Sequence, residues 1–372
     1  MRKIILLIMI LFLTLFLAPE VRNPDRPLKG DWDLKVKKVW DIGEAEGEPF
    51  AQPVITVSGD GTCCIYDYKN LKNYIFDSAG NFKKAFGKKG EGPGEVKMQF
   101  LSYWVNDKIV LVGRNRLHYF SKDGGFEKSA VNDLFRQTPL AFINENEFIS
   151  MPQVGVGKNA SEMEIDFVNL KTKQRTVVKA FLSKLKFYEG YGYPVIPGLS
   201  PMMKLGYDQK NKRLYYGMND VYTINISNLD GSVIDTFSVE RDRKEIPEEV
   251  VEEWFKKNNP NFPYKKLMKK VPNELNHFYG IQVDGGFVYV FAGQFGTYWD
   301  SQPIDIFSLS GKYLYRTEFI PGKGFKIYNT FPMMDTILIR DGFLYVVREN
   351  EDGDVVVSKY KVSLPDVLKE EK

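Results

Sequence analysis

This chain reads as all-β, a six-bladed β-propeller with four antiparallel strands per blade, and three observations lead there. A polar turn followed by an apolar strand recurs six times, the turns beginning at Asp60-Gly61, Asn106-Asp107, Asn144-Glu145, Asn211-Lys212, Asp284-Gly285 and Asp341-Gly342. Another apolar run lies just upstream of each turn, and a third run, a second turn and a fourth run follow most of them. The last unit is one strand short, while residues 34–42 alternate as a strand does near the N-terminus. A ring closed by both ends of the chain leaves no open sheet edge between its first and last blades.

In chain order, Arg2 and Lys3 precede an unbroken apolar run over residues 4–17. That run has the length of a signal-peptide core and is short for a membrane span. Residues 1–18 are therefore expected to be a signal peptide or an N-terminal anchor; no small-x-small pattern precedes Pro19, and no cysteine follows the run. Residues 19–30, polar and proline-containing, read as a linker, and residues 31–364 as the propeller. Strands are expected after the turns at 62–66, 108–112, 147–151, 213–216, 287–291 and 343–347. Asp, Asn and Gly suit those turns because they tolerate the positive φ of tight hairpins. Second turns follow at Asp77-Ser78-Ala79-Gly80, Lys122-Asp123-Gly124-Gly125, Asn228-Leu229-Asp230-Gly231 and Ser310-Gly311, whereas the third unit, 167–176, keeps its strands without the glycine. The last unit supplies strands at 336–340, 343–348 and 355–361, and residues 365–372 form a charged tail.

Between blades 4 and 5 a helical insertion is expected over residues 244–277. Pro247 suits a first helical turn, and Glu248, Glu249, Glu252 and Glu253 precede Lys256 and Lys257, the charge order that complements a helix dipole. Val250, Val251, Trp254 and Phe255 make an apolar stripe, which Asn259-Pro260 ends. A second short piece over 264–270 carries four lysines; with Lys256 and Lys257 they make six within fifteen residues, a cluster able to attract an acidic polymer or lipid headgroups, whose plainer role is a solvated face.

Composition narrows the function classes. Net charge is +3, from 51 basic and 48 acidic residues, without the basic excess that a nucleic-acid binder shows. The 27 Phe and 21 Tyr suit pleated surfaces. Cys63 and Cys64, adjacent on a strand, point to opposite faces, so stability must come from the core and not from a disulfide.

The turn Asp77-Ser78-Ala79-Gly80 followed by Phe86-Gly87, Gly90 and Gly92-Pro93-Gly94-Glu95 resembles the NHL-repeat-like six-bladed propellers found among exported bacterial proteins. The resemblance spans roughly residues 34–363 and is sharpest in the first blade. It implies a fold and an address outside the cytoplasm (periplasmic, extracellular or membrane-anchored), and no reaction, since propellers host unrelated functions.

With the strands of a blade named a to d from the axis outward, a–b and c–d turns share one face, and b–c loops and blade connections the other. The long connections 87–99, 182–200 and 240–277 and the long b–c loops 151–163 and 292–303 all fall on the second face. A single loop-rich binding face is expected there. Its candidate ligand-binding residues are Tyr191 and Tyr193 in a Gly-rich loop, Tyr298, Trp299 and Asp300 in the fifth blade, Arg114 and Arg116 in a short b–c loop, and His277 at the end of the insertion. Aromatic rings stack on sugars or bulky ligands, and arginines grip carboxylates bidentately. The rings also have a plainer role, packing onto neighbouring loops.

Chemistry is sparse. His118 and His277 are the only histidines, too few for a histidine-held zinc, and His118 sits mid-strand in a structural position. The Gly-rich loop at 87–94 lacks the P-loop ending, 349–354 lacks EF-hand spacing, and no Gly-x-Ser-x-Gly occurs. The expectation is an exported, non-catalytic propeller without cofactor, binding a glycan, peptide or protein on its loop-rich face. It takes no nucleic acid and meets a membrane only through an N-terminal anchor. The alternative is a calcium-dependent propeller hydrolase or lactonase with its site at the axial channel mouth.

Overall fold

The computed structural model describes residues 20–97, 99–113, 115–131, 137–152, 162–182, 196–267, 271–296, 298–328 and 337–365. The fold is a six-bladed propeller of four-stranded antiparallel sheets. Ahead of the first blade lie β1 (Glu20–Pro24), β2 (Val36–Ile42) and the small hairpin β3 (Glu44–Ala45) and β4 (Glu48–Pro49). Blade 1 is β5 (Pro53–Val57), β6 (Cys63–Asp67), β7 (Lys72–Phe76) and β8 (Phe82–Phe86). Blade 2 is β9 (Gln99–Val105), β10 (Lys108–Gly113), β11 (Arg116–Ser121) and β12 (Phe126–Val131). Blade 3 is β13 (Gln137–Asn144), β14 (Glu147–Pro152), β15 (Glu162–Asn169) and β16 (Gln174–Leu182). Blade 4 is β17 (Met203–Asp208), β18 (Arg213–Met218), β19 (Thr223–Asn228) and β20 (Val233–Glu240). The insertion follows, with α1 (Glu248–Asn258) and α2 (Tyr264–Leu267). Blade 5 is β21 (Phe278–Asp284), β22 (Phe287–Ala292), β24 (Gln302–Ser308) and β25 (Tyr313–Phe319), with the short β23 (Tyr298–Trp299) in its b–c loop. Blade 6 takes β26 (Phe325–Tyr328), β27 (Ile337–Arg340), β28 (Phe343–Asn350) and β29 (Val355–Val362), and β2 pairs antiparallel with β29 as its outer strand.

Strand position in a blade follows the apolar pattern. The middle strands are covered on both faces by the neighbouring blades, so they are apolar without alternation: β6 is buried throughout, and β10 from Ile109 onward. The outer strands face water and read accordingly, as in Phe82-Lys83-Lys84, exposed at the start of β8. Six separate apolar clusters fill the six junctions between blades, the last joining Trp40, Ile42, Tyr345 and Val347 to Ile55, Ile65 and Tyr74. The N-terminal strand thus completes both the sixth sheet and the junction that closes the ring.

The a–b turns use positive φ at Gly61, Asn106, Lys212, Gly285, Gly286, Asp341 and Gly342, as the turn residues require. In the third blade, which has no glycine in its c–d turn, Lys173 takes the left-handed position at φ 55°.

Two segments depart from the sequence reading. The stretch 19–30, read as a linker, is a structural strap from Glu20 onward: β1 lies parallel on β20 as a fifth strand of blade 4. Asn23, buried, donates to the Ser238 and Gly311 carbonyls at 3.0 Å each and accepts the Tyr313 N–H at 3.0 Å, stapling blade 4 to blade 5. The chain then follows the rim of blade 5 through the Leu28 and Lys29 N–H groups, bonded to Tyr313 and Leu314 carbonyls, to Trp32, whose Nε1 donates to Ser363 O at 2.6 Å. Polar, proline-containing sequence reads as loose because its hydrogen bonds go to distant residues. In addition, β26 pairs with the C-terminal half of β28 and β23 pairs with β26, so part of the fifth blade's b–c loop belongs to the sheet of blade 6.

Helix α1 forms as expected, acidic at its start and basic at its end. Val251 and Phe255 are buried with Phe262, Tyr264, Ile196 and Leu199, and the Phe255 and Phe262 rings stack at 4.5 Å. The insertion therefore has its own small core on the loop-rich face.

Candidate functional site

On the loop-rich face, three short segments converge at the junction of blades 4 and 5. The b–c turn of blade 4 brings Asp220, Val221 and Tyr222, the end of β20 brings Glu240, Arg241 and Asp242, and the insertion returns at His277. Backbone bonds lock them together: His277 N–H donates to Asn219 O at 2.8 Å and Val239 N–H to Tyr222 O at 3.0 Å. Between them lies a cleft of about 540 Å³. Its lip is exposed at Val221, Glu240 and Asp242, and Asp220, Arg241 and His277 are half-buried.

The floor is a buried charge network centred on Asp305, which is 2 % exposed. The carboxylate accepts Tyr222 Oη–H at 2.6 Å, Arg241 at 2.8 Å, Arg316 Nε–H at 3.1 Å and the Tyr313 hydroxyl. Asp25, from the N-terminal strap, pairs with the same two arginines, with Arg316 at 3.0 Å. Each guanidinium also lies over a tyrosine ring, Arg241 5.1 Å from Tyr222 and Arg316 5.9 Å from Tyr313. Burial opposes the charge on Asp305, yet Arg241 and the tyrosine hydroxyls hold its carboxyl below the usual range. Burial and the Asp305 charge push the Tyr222 and Tyr313 phenols up, so both remain hydrogen-bond donors. This arrangement is a rigid polar floor whose acid is charged and fully engaged.

His277 stands above it, its ring 5.6 Å from that of Tyr222 and tilted by 37°. Burial first, then the Arg241 and Arg243 charges, pull its pKa down, so the imidazole is neutral at pH 7. A neutral ring offers one donor and one acceptor to a polar ligand.

The other sequence candidates fall elsewhere. Arg114, Tyr191 and Tyr193 lie outside the described residues. Arg116 is exposed at the start of β11, on blade 2. Tyr298 is exposed and stacked on Tyr328, ring centroids 5.3 Å apart and nearly parallel, with its hydroxyl 3.3 Å from Glu349. Burial and the Glu349 charge push that phenol up to about 12. Asp300 is exposed, 3.6 Å from Lys326. Trp299 is corrected: it is buried against Tyr279 and the core between blades 5 and 6, because β23 alternates and turns one ring out and the next in. His277 is thus apart from the Tyr298 pair, which belongs to blade 6. Sequence reading missed Tyr222, Arg241 and Asp305, which lie far apart in the chain and carry no motif. His118 is structural, 9 % exposed with its Nδ1 3.0 Å from Ser129 Oγ.

A second cavity, of about 400 Å³, opens on the opposite, short-turn face. Turns of five blades line it, at Asp60, Asp107, Ile143, Gln209 and Arg340, so concavity is not confined to the decorated face. Nearby turns place Asp284 next to Asp341, whose N–H it accepts at 3.0 Å. Burial, then the Asp341 charge, raise the Asp284 carboxyl to about 6.

Among the described residues no cluster of three or more His, Cys, Asp or Glu has the geometry to hold a metal ion, and no helix is long and apolar enough to cross a membrane. No protein-family model matches this sequence, and no curated protein matches it. Solved structures do. A DUF4221-family protein of Bacteroides vulgatus aligns over 89 % of this chain and 99 % of its own, at 12 % identity and a TM-score of 0.57. A candidate exported protein of Bacteroides fragilis aligns over 93 % of this chain and 100 % of its own, at 12 % identity and a TM-score of 0.52. At such identity the likeness shows the propeller fold and nothing of a ligand.

Proposed function

We propose that this chain is an exported, non-catalytic propeller that binds a polar ligand, a glycan or a peptide, in the cleft at His277 on its loop-rich face. The observation that carries this reading is the cleft itself. Its volume of about 540 Å³ suits a small ligand, and its polar groups sit on a floor held by the Asp305 network. Binding is favoured over catalysis because the candidate acid and base groups are occupied by one another. Asp305 has both oxygens accepting, and the Tyr222 and Tyr313 hydroxyls donate to it. Among the described residues lining the cleft, His277 is the ring left to turn toward a ligand. The apolar run at 4–17 and the first blade's similarity to NHL-repeat-like exported propellers support the address.

The test is a thermal-shift screen of the full chain against glycan and peptide libraries, repeated with Val221→Trp. Val221 is 48 % exposed on the cleft lip, so the larger ring fills the opening without touching the core. A ligand at a hundredfold its Kd stabilises by about 2.7 kcal/mol, readable as a rise in Tm. That rise should vanish in Val221→Trp while the unliganded Tm stays put. Ligand binding that survives the filled cleft would remove this site from the argument.

A further inference from the structure

The cleft at His277 has a sign of charge, and that sign narrows what it takes. Of its lining residues, Asp220, Glu240, Arg241 and Asp242 carry formal charges. Arg241 is spent on the floor: it donates to Asp305 at 2.8 Å and pairs with Asp25. Arg316, the other cation of the floor, is divided between the same two carboxylates at 3.1 and 3.0 Å. Two arginines against two aspartates leave the floor neutral. Three acids of the lining remain, with Asp220 half-buried and Glu240 and Asp242 exposed. Neither Glu240 nor Asp242 has a cationic partner among the described residues.

Neighbouring cations do not cancel this charge. Arg243 pairs with Glu274. Arg22 pairs with Glu20 at 2.9 Å, and Glu20 turns its other oxygen to Ser238 of the cleft wall at 3.2 Å. In the insertion, Lys256 and Lys265 pair with Glu252 at 2.9 and 3.7 Å. Arg26 and Lys244 are exposed, and neither is part of the lining.

A sugar finds no platform here. Stacking needs an open ring face, and Tyr222 is 2 % exposed, with the Arg241 guanidinium 5.1 Å over its ring and the His277 ring 5.6 Å away. Acidic sugars would be repelled by the same three carboxylates. A cation is attracted by all of them within a Debye length, and the neutral imidazole of His277 offers it an acceptor nitrogen.

Resting on the reading of this cleft as the ligand site, we propose that it takes an organic cation, the ammonium or guanidinium group of a basic peptide or of a free polyamine. The cation sits among Asp220, Glu240 and Asp242, with a donor toward His277. Asp305 takes no part in holding it, because its oxygens are already engaged. The floor acts by keeping the Arg241 charge neutralised beneath the site.

The full chain is titrated by calorimetry with a short capped lysine peptide, its arginine and glutamate counterparts, the lysine peptide acetylated on its side chains, spermidine, and a neutral and a uronate oligosaccharide. A basic peptide or spermidine should bind, and the tighter of the two names the source of the cation. Acetylation should weaken the lysine peptide roughly tenfold, since it removes the charge and keeps the chain. Glu240→Gln with Asp242→Asn should weaken the cation about three- to tenfold. Glu351→Gln with Asp352→Asn, exposed on the same face in the b–c turn of blade 6, should leave binding unchanged.

Val221→Trp separates this inference from the reading beneath it. Cation binding that survives the filled cleft overturns the cleft as the site. An acetylated peptide, glutamate peptide or oligosaccharide that binds as tightly as the cations, yet is lost in Val221→Trp, keeps the cleft and overturns the charge assignment. Equal weakening by the two acid pairs overturns it too, because attraction to the whole face would then suffice. Failure of every cation to bind has the same consequence.

Discussion

Two carboxylates with opposite environments make the clearest predictions about single residues. Asp305 is buried and engaged by two arginines and two tyrosines, and its folded-state pKa lies below the unfolded value. Its contribution is present above the unfolded pKa and is lost as pH falls through the folded one. Asp305→Ala strands Arg241 and Arg316 beside an empty position and should cost about 3–5 kcal/mol, measured as a lower denaturation midpoint at pH 7. Asp284 has the reverse sign: an acid raised to about 6 binds its proton more tightly when folded. Stability is therefore lost as pH rises from the unfolded pKa to about 6, by up to about 3 kcal/mol. Asp284→Asn, which can still accept the Asp341 N–H, should stabilise the protein at pH 7 and show no gain near pH 4. Denaturation midpoints across that range decide it, and a pH-independent difference would mean Asp284 is not the raised acid.

At the scale of elements, the blades are keyed by turns as well as by apolar faces. Gly311, in the c–d turn of blade 5, sits at φ 84°, and a Cβ there would come 2.5 Å from Cβ of Phe237 on the outer strand of blade 4. Gly80 of blade 1 meets Trp40 in the same way, at 2.9 Å, across the closing junction. Gly311→Ala combines left-handed backbone strain with overpacking and should cost about 2–4 kcal/mol in urea unfolding. An alanine tolerated within about 0.5 kcal/mol would mean that the blades shift freely at this junction. The insertion obeys a different logic, since α1 is held by stacked rings beneath it and not by sheet pairing.

For the whole molecule, the ring has two kinds of N-terminal closure. β2 completes blade 6 and the junction to blade 1, whereas β1 and the strap tie blade 4 to blade 5 from outside. A chain beginning at Asp31 loses the Asn23 bonds and the Asp25 pairs but keeps β2. It should melt several degrees below a chain beginning at Glu20, yet still in one cooperative transition, by calorimetry. A chain beginning at Gly43 also loses β2, leaving the β29 edge and the Tyr345 and Val347 faces open, and should fail to give a monomer on sizing columns. A monomeric, cooperatively melting product would show that the ring does not depend on its N-terminal strand.

How much of this was legible before folding depends on the range of the interactions. Turn residues with positive φ, apolar middle strands and the charge order of α1 act within a few positions, so blade number, strand order, the closing strand at 34–42 and the helix could all be read locally. His277 could be flagged because the chain has so few histidines, but its partners could not. Tyr222, Arg241, Asp305 and Asp25 meet only because the ring brings blade 4, the crossover, blade 5 and the strap to one point. The strap itself was invisible for the same reason: Asn23 has its partners at Ser238, Gly311 and Tyr313, and no local pattern announces them. Trp299 looked like Tyr298 in the sequence, and only the pairing of β23 with β26 set one ring in the core and the other in water. The sequence by itself determined the repeat, because backbone hydrogen bonding and burial impose it strand by strand. Tertiary structure alone decided the cleft and the direction of the strap, because the cleft floor joins residues 64 and 83 positions apart and the strap meets partners more than 200 positions away, ranges that no local pattern covers.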